Sequence, residues 1–167
     1  MLFTGTYECS IDSKNRLSIP ANIRANMDPE VDGTRFYLVP GHRARVLNLY
    51  ADKYFERNAG QMPLAIAPGQ ERADFRDVFF GLATLLDVDK QGRVVLPQRL
   101  LNFAHIGKQV TLSGSMDRLV LWNREPCDEF MVDNFHLCRL LYNKADQAPG
   151  DNAVDRKAGN NGLLEGS

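Results

Sequence analysis

Residues 7–27 read YECSIDSKNRLSIPANIRANM, and residues 84–104 read TLLDVDKQGRVVLPQRLLNFA. The two stretches share one skeleton: aspartate, three residues, arginine, three residues, proline. Asp12 aligns with Asp89, Arg16 with Arg93 and Pro20 with Pro97, at a spacing of 77 residues. Apolar positions align as well: Cys9 with Leu86, Ile11 with Val88, Leu17 with Val94, Ile19 with Leu96 and Ile23 with Leu100. Chance can produce one DxxxR match, but hardly one that also repeats the flanking alternation, so the chain carries an internal duplication.

Each copy has the same physical reading. Tyr7, Cys9 and Ile11, and then Leu17 and Ile19, recur with a period of two, the pattern of half-buried strands. Between them DSKNR and DKQGR form a tight connection. Asn15 and Gly92 hold matching positions, and both residue types tolerate a left-handed backbone, so each connection predicts a short hairpin loop containing one positive-φ residue. Asp12 and Asp89 can turn their carboxylates onto loop N–H groups; together with Asn15 and Gly92 they are the loop-shaping residues. Pro20 and Pro97 end the second strand and suit the first turn of a helix. ANIRANM and QRLLNFA supply those helices, with Gly107 as the expected stop of the second.

Working outward, FYLVPGHRARVLNLY (36–50) and VTLSGSMDRLVLW (110–122) each predict two strands around a Gly-containing turn, ending on Tyr50 or Trp122 before a helix. Asp52–Ala59 and about 70–81 read as helical, with Pro63, Pro68 and Gly69 in the loop between them. Phe75, Val78 and Phe79 are expected to form the buried stripe of the second of these. A terminal helix over roughly 125–144 spaces Cys127, Met131, Phe135, Cys138 and Tyr142 by threes and fours, a stripe for a neighbour inside the chain or across an interface. From Ala145 the sequence ADQAPGDNAVDRKAGNNGLLEGS has too little apolar surface to offset its ordering entropy, and a disordered tail is expected. The organisation is therefore repeat 1 over 6–54, a helical connection over 55–81, repeat 2 over 82–128, a C-terminal helix over 129–144 and a tail over 145–167.

Composition limits the function classes. With 167 residues, 44% apolar and 25% charged, the chain is an ordinary globular protein. It has no apolar run of about 18 residues to span a membrane and no secretory signal pattern at its start. Its net charge of −1 argues, taken alone, against a surface coated for nucleic acid. The tail, however, carries four acids and two bases, and setting it aside leaves 18 bases against 17 acids. From Leu85 to Arg124 there are six bases and three acids. Cys9, Cys127 and Cys138 form no CxxC, and His42, His105 and His136 stand alone, so no metal site, cofactor or disulfide framework is predicted. A reducing, cytoplasmic compartment fits.

The chemistry sits at the loops. Each tip exposes cations: Lys14 and Arg16 in the first, Lys90 and Arg93 in the second. A guanidinium on a rigid turn can grip a phosphate or the edge of guanine bidentately. The plainer reading is that Arg16 pairs with Asp12, and Arg93 with Asp89, across their own turns, worth about 0–1 kcal/mol each. That the whole polar tip recurs, and not the apolar skeleton alone, favours a binding role. No nucleophile–base pair or phosphate-cradling loop appears, so an enzyme acting on a small-molecule substrate is not predicted.

At these residues the chain resembles a known family. DSKNRLSIP and DKQGRVVLP look like swapped-hairpin SpoVT-AbrB DNA-binding units. Two in tandem behind MLFTGTY, followed by FFGLATLLDVDKQGRVVLPQRLLNFAHIGKQVTLSGSMDRLVLWNREPCDEF, resemble the MraZ family of transcriptional regulators over about residues 1–143. The resemblance implies a β-rich α+β fold in which the two units intertwine as a pseudo-two-fold barrel with flanking helices. It implies a ring-shaped homo-oligomer, nucleoid-associated, that binds direct repeats upstream of a division and cell-wall gene cluster and usually represses its own operon. Carried over residue by residue, Lys14, Arg16, Lys90, Arg93 and Arg24 become DNA-binding residues. Arg24 matches the arginine that usually follows the first proline. Asn15 replaces the usual glycine, and Leu101 stands where repeat 2 would need the counterpart of Arg24. The second reading is an oligomeric protein-interaction scaffold with the same fold and no specific DNA site.

Overall fold

The computed structural model describes residues 1–61 and 69–147. Its elements are β1 (Thr6–Ser10), β2 (Arg16–Ser18), α1 (Ala21–Ala25), β3 (Phe36–Pro40), β4 (Val46–Ala51) and α2 (Asp52–Asn58), then a 3₁₀ turn (Ala59–Gln61). They continue with α3 (Gly69–Leu82), β5 (Thr84–Leu86), β6 (Arg93–Val95), α4 (Gln98–Phe103), β7 (Gln109–Gly114), β8 (Leu119–Asn123) and α5 (Arg124–Gln147). The result is a β-rich α+β chain. It divides into two units, Met1–Phe130 and Met131–Ser167; both sheets lie in the first.

Strands pair between the repeats as well as within them. The large sheet runs β1-β7-β8-β4-β3-β5, all pairs antiparallel, and β2 pairs with β6 in a separate ribbon. Exchanging each strand for its counterpart in the other repeat reverses the sheet order and leaves it unchanged. The edge strand of each repeat lies on the other repeat's hairpin: Cys9 faces Val110, and Leu86 faces Phe36. The strands flanking the first tip therefore pair with each other only at the Ile11–Leu17 bridge before separating into different sheets. This differs from the simple hairpin that the alternation predicts, because each flank pairs with a strand of the other repeat.

The core follows from this pairing. Leu17, Ile19, Val94 and Leu96 from the ribbon and its exits, and Ile23, Leu100 and Leu101 from α1 and α4, pack against Phe36, Leu38, Leu49, Val110, Leu112 and Leu121 of the sheet. The sheet's other face carries two smaller clusters. Val39, Tyr50 and Phe55 form one, with Phe79 against it. Val46, Val120, Trp122 and Cys127 form the other, with Phe130 against it.

Three expectations need correction. Phe75 and Val78 are 42% and 60% exposed, and only Phe79 of the expected stripe packs on the body. Helical period locates an apolar face but not what covers it. The stop after α4 is not Gly107 but His105, which takes φ 51°. Its N–H donates to the Asn102 carbonyl at 3.1 Å while Ile106 N–H reaches back to Leu101 at 2.9 Å, closing the last turn. The terminal helix begins at Arg124 and extends to Gln147, past the expected boundary at 144. Of its stripe, Cys127 is buried, whereas Met131, Phe135, Cys138 and Tyr142 are exposed. Pro63, Pro68 and the tail from residue 148 lie outside the described residues.

Candidate nucleic-acid interface

The two tips, residues 12–16 and 89–93, have the same internal wiring. Asp12 Oδ1 accepts from the N–H groups of Lys14 (2.8 Å) and Arg16 (2.9 Å), and Oδ2 from Arg16 Nε (2.6 Å). Asp89 Oδ1 accepts from Gln91 N–H and Arg93 N–H, both at 2.9 Å. Its Oδ2 accepts from Arg93 Nε (2.9 Å) and Nη2 (2.8 Å). Asn15 and Gly92 take φ 58° and 78°, the left-handed geometry each tip requires. The Arg16 amide, and then its guanidinium, hold the Asp12 carboxyl down at about 2. The Arg93 guanidinium, and then its amide, lower that of Asp89 in the same way. The expected pairing of each arginine with its own aspartate is thus present, and it orients the guanidinium without burying it: the Arg16 and Arg93 side chains remain 31% and 27% exposed.

The β2–β6 ribbon brings the tips together. Leu17 lies opposite Val94 and both are buried, so alternation turns Arg16, Ser18, Arg93 and Val95 to the opposite face. Arg16 faces Val95 and Arg93 faces Ser18, which makes the two arginines diagonal neighbours, about 7–8 Å apart across one ribbon. Lys14 and Lys90 are exposed at the turn apices. The tips also grip the opposite repeat: Asn15 C=O accepts from Leu96 N–H at 2.8 Å, and Gly92 C=O from Ile19 N–H at 2.9 Å.

Arg24 projects from α1. Its Nε donates to the Ile19 carbonyl at 3.1 Å, and its guanidinium lies so close to Gly92 that a Cβ there would overlap it. Two residues unmarked in the sequence join the first tip from repeat 2. Lys108 Nζ donates to the Asp12 carbonyl (3.1 Å) and to Asn15 Oδ1 (3.2 Å), and Asn15 Nδ2 donates to Gln98 Oε1 (2.9 Å). Spacing could not have found Lys108, because only the register of β1 on β7, Ser10 beside Gln109, carries it to the tip. Among the described residues no group of histidine, cysteine and carboxylate side chains could hold a metal ion. Nor is any described helix long and apolar enough to cross a membrane.

Fold and site together define a class: a duplicated antiparallel α+β protein that carries two rigid cationic loops on one ribbon. The family model for the MraZ protein matches residues 2–65 and 79–132. The chain belongs to the MraZ family. It is 34% identical over 133 residues to a protein of Mycoplasmopsis pulmonis named transcriptional regulator MraZ, covering 78% of this chain and 84% of that one. A protein of the same name from Lactiplantibacillus plantarum is 32% identical over 79% of this chain and 89% of its own length. Another, from Finegoldia magna, is 29% identical over 92% of this chain and 99% of its own.

Proposed function

We propose that this protein is a sequence-specific DNA-binding transcriptional regulator whose contacts are made by the paired tips. The observation that carries the reading is the pair of arginines, Arg16 and Arg93, each aimed by an ionised aspartate and set on the same face of one ribbon. Lys14 and Lys90 flank them as phosphate contacts, and Arg24 belongs to the same surface at the second tip. Residues 6–54 and 82–128 act as two swapped-hairpin units of one intertwined, pseudo-two-fold barrel; the strand exchange between repeats supports this. The family names of the relatives favour a cytoplasmic, nucleoid-associated regulator over a scaffold without DNA or an enzyme. By the same resemblance it is a repressor of its own division and cell-wall operon, binding repeated upstream sites as a ring-shaped homo-oligomer.

A mobility-shift titration on the DNA upstream of its own gene, at two salt concentrations, tests this. Binding weakens steeply with salt because each tip displaces counterions. Arg16→Ala costs about 1–3 kcal/mol and relaxes specificity at one position. Equal retention of unrelated DNA would overturn sequence specificity, and unchanged binding by the variant would remove Arg16 from the interface.

A further inference from the structure

The two tips are wired alike internally but supported differently from outside. At the second tip, Gly92 is buried with φ 78°, and its missing side chain leaves the space that the Arg24 guanidinium occupies. Arg24 Nε holds the Ile19 carbonyl while Ile19 N–H holds the Gly92 carbonyl, so Ile19 links Arg24 to the backbone of that tip. At the first tip the equivalent position is Asn15, which has a Cβ, and the equivalent of Arg24 is Leu101, a buried core residue. The cation there comes instead from Lys108 of repeat 2, on the Asp12 carbonyl and the Asn15 side chain. Both supporting cations are exposed residues: Lys108 Nζ bonds to the loop of the opposite repeat, and the Arg24 guanidinium, bonded to Ile19 of its own repeat, lies against Gly92 of the opposite one.

We infer that each tip is latched by a cation from the other repeat: Arg24 is the positioning residue of the second tip and Lys108 that of the first. The latches are not interchangeable, because Gly92 makes room for a guanidinium and Asn15 supplies an oxygen to an ammonium. The consequence for DNA binding rests on the function proposed above. Each tip is a composite of both repeats, and loss of a latch disables the tip it holds, not the repeat it comes from.

Crossed double variants test this. Arg24→Ala lowers affinity for the upstream DNA about fivefold to tenfold, the loss expected when one hydrogen-bonded support is removed. It adds to Arg16→Ala but has no further effect in an Arg93→Ala background. Lys108→Ala behaves in the reverse way, additive with Arg93→Ala and silent with Arg16→Ala. Neither changes the slope of affinity against salt, whereas a cation that itself neutralised a phosphate would lower that slope by about one. Additivity with both arginine variants, or a reduced slope, overturns the positioning role. A measurement without DNA decides the latches separately. Arg24→Ala speeds amide exchange several-fold at Ile19 and not at Leu96, and Lys108→Ala does so at Leu96 and not at Ile19. Equal acceleration at both sites would mean general loosening and overturn the inference. Failure of the unmodified protein to bind the upstream DNA, with the crossed exchange pattern present, would sink the DNA reading and leave the latches standing.

Discussion

At Gly92 two constraints meet: a left-handed backbone and the Arg24 guanidinium on its open face. The first was legible in DKQGR, since turn chemistry calls for glycine or asparagine at that position. The second was not, because Arg24 lies 68 residues away and reaches Gly92 only after the repeats pair. Gly92→Ala is therefore expected to cost more than the roughly 1–2 kcal/mol of a left-handed alanine alone, since the guanidinium must also move. Asn15→Gly should change stability by less than about 1 kcal/mol: it relieves the backbone while losing only exposed polar bonds. Urea unfolding followed by fluorescence of Trp122 checks both; a Gly92→Ala protein as stable as the unmodified one would contradict the packing described. Asp12, held at about 2, contributes to tip geometry at pH values above the ordinary carboxylate range, and that contribution fades only as pH falls through about 2.

At the scale of elements, the ribbon is the least autonomous part of the fold. β2 and β6 are three residues each, too short to pair stably in isolation. Leu17 and Val94 make the ribbon possible because both are fully buried against a sheet that itself contains strands of both repeats. Neither repeat can complete its pairing or its core alone. The expectation is one cooperative transition for Met1–Phe130, with amide protection in β1–β4 and β5–β8 lost at the same urea concentration. Separate midpoints for the two sets would show that the repeats are independent domains. The elements themselves were largely legible: alternation marked the strands, and proline marked the starts of α1 and α4. The exact stop of α4 was not, since His105 adopts its left-handed φ to close the turn and nothing in its identity announces that. Nor was the register that delivers Lys108 to the first tip.

At the scale of the molecule, a net charge of −1 is an average that conceals local placement. The cations of the proposed interface are on two loops and two supporting side chains, and ordinary acids elsewhere balance them. The exposed apolar residues point outward in another sense. Phe75 and Val78 on α3, and Phe135 and Tyr142 on α5 (79% and 75% exposed), are more than a monomer ordinarily leaves to water on neighbouring helical turns. With the proposed homo-oligomer, light scattering should give a mass several times the 18.8 kDa chain. Phe135→Asp should shift the distribution to smaller species. A monomeric mass for the unmodified protein would remove the ring from the proposal.

The sequence by itself determined the duplication, the class of fold, the left-handed residue of each tip and the aspartate–arginine pairing inside it. All of these are set by contacts within a few residues, where backbone sterics and hydrogen-bonding reach leave few alternatives. Tertiary structure alone decided which strands pair between the repeats, that Arg16 and Arg93 share one ribbon face, and that Arg24 and Lys108 reach the loop of the opposite repeat. Those contacts join residues 46 to 107 positions apart, and no local pattern encodes them. They exist because laying each repeat's strands on the other buries both apolar skeletons at once.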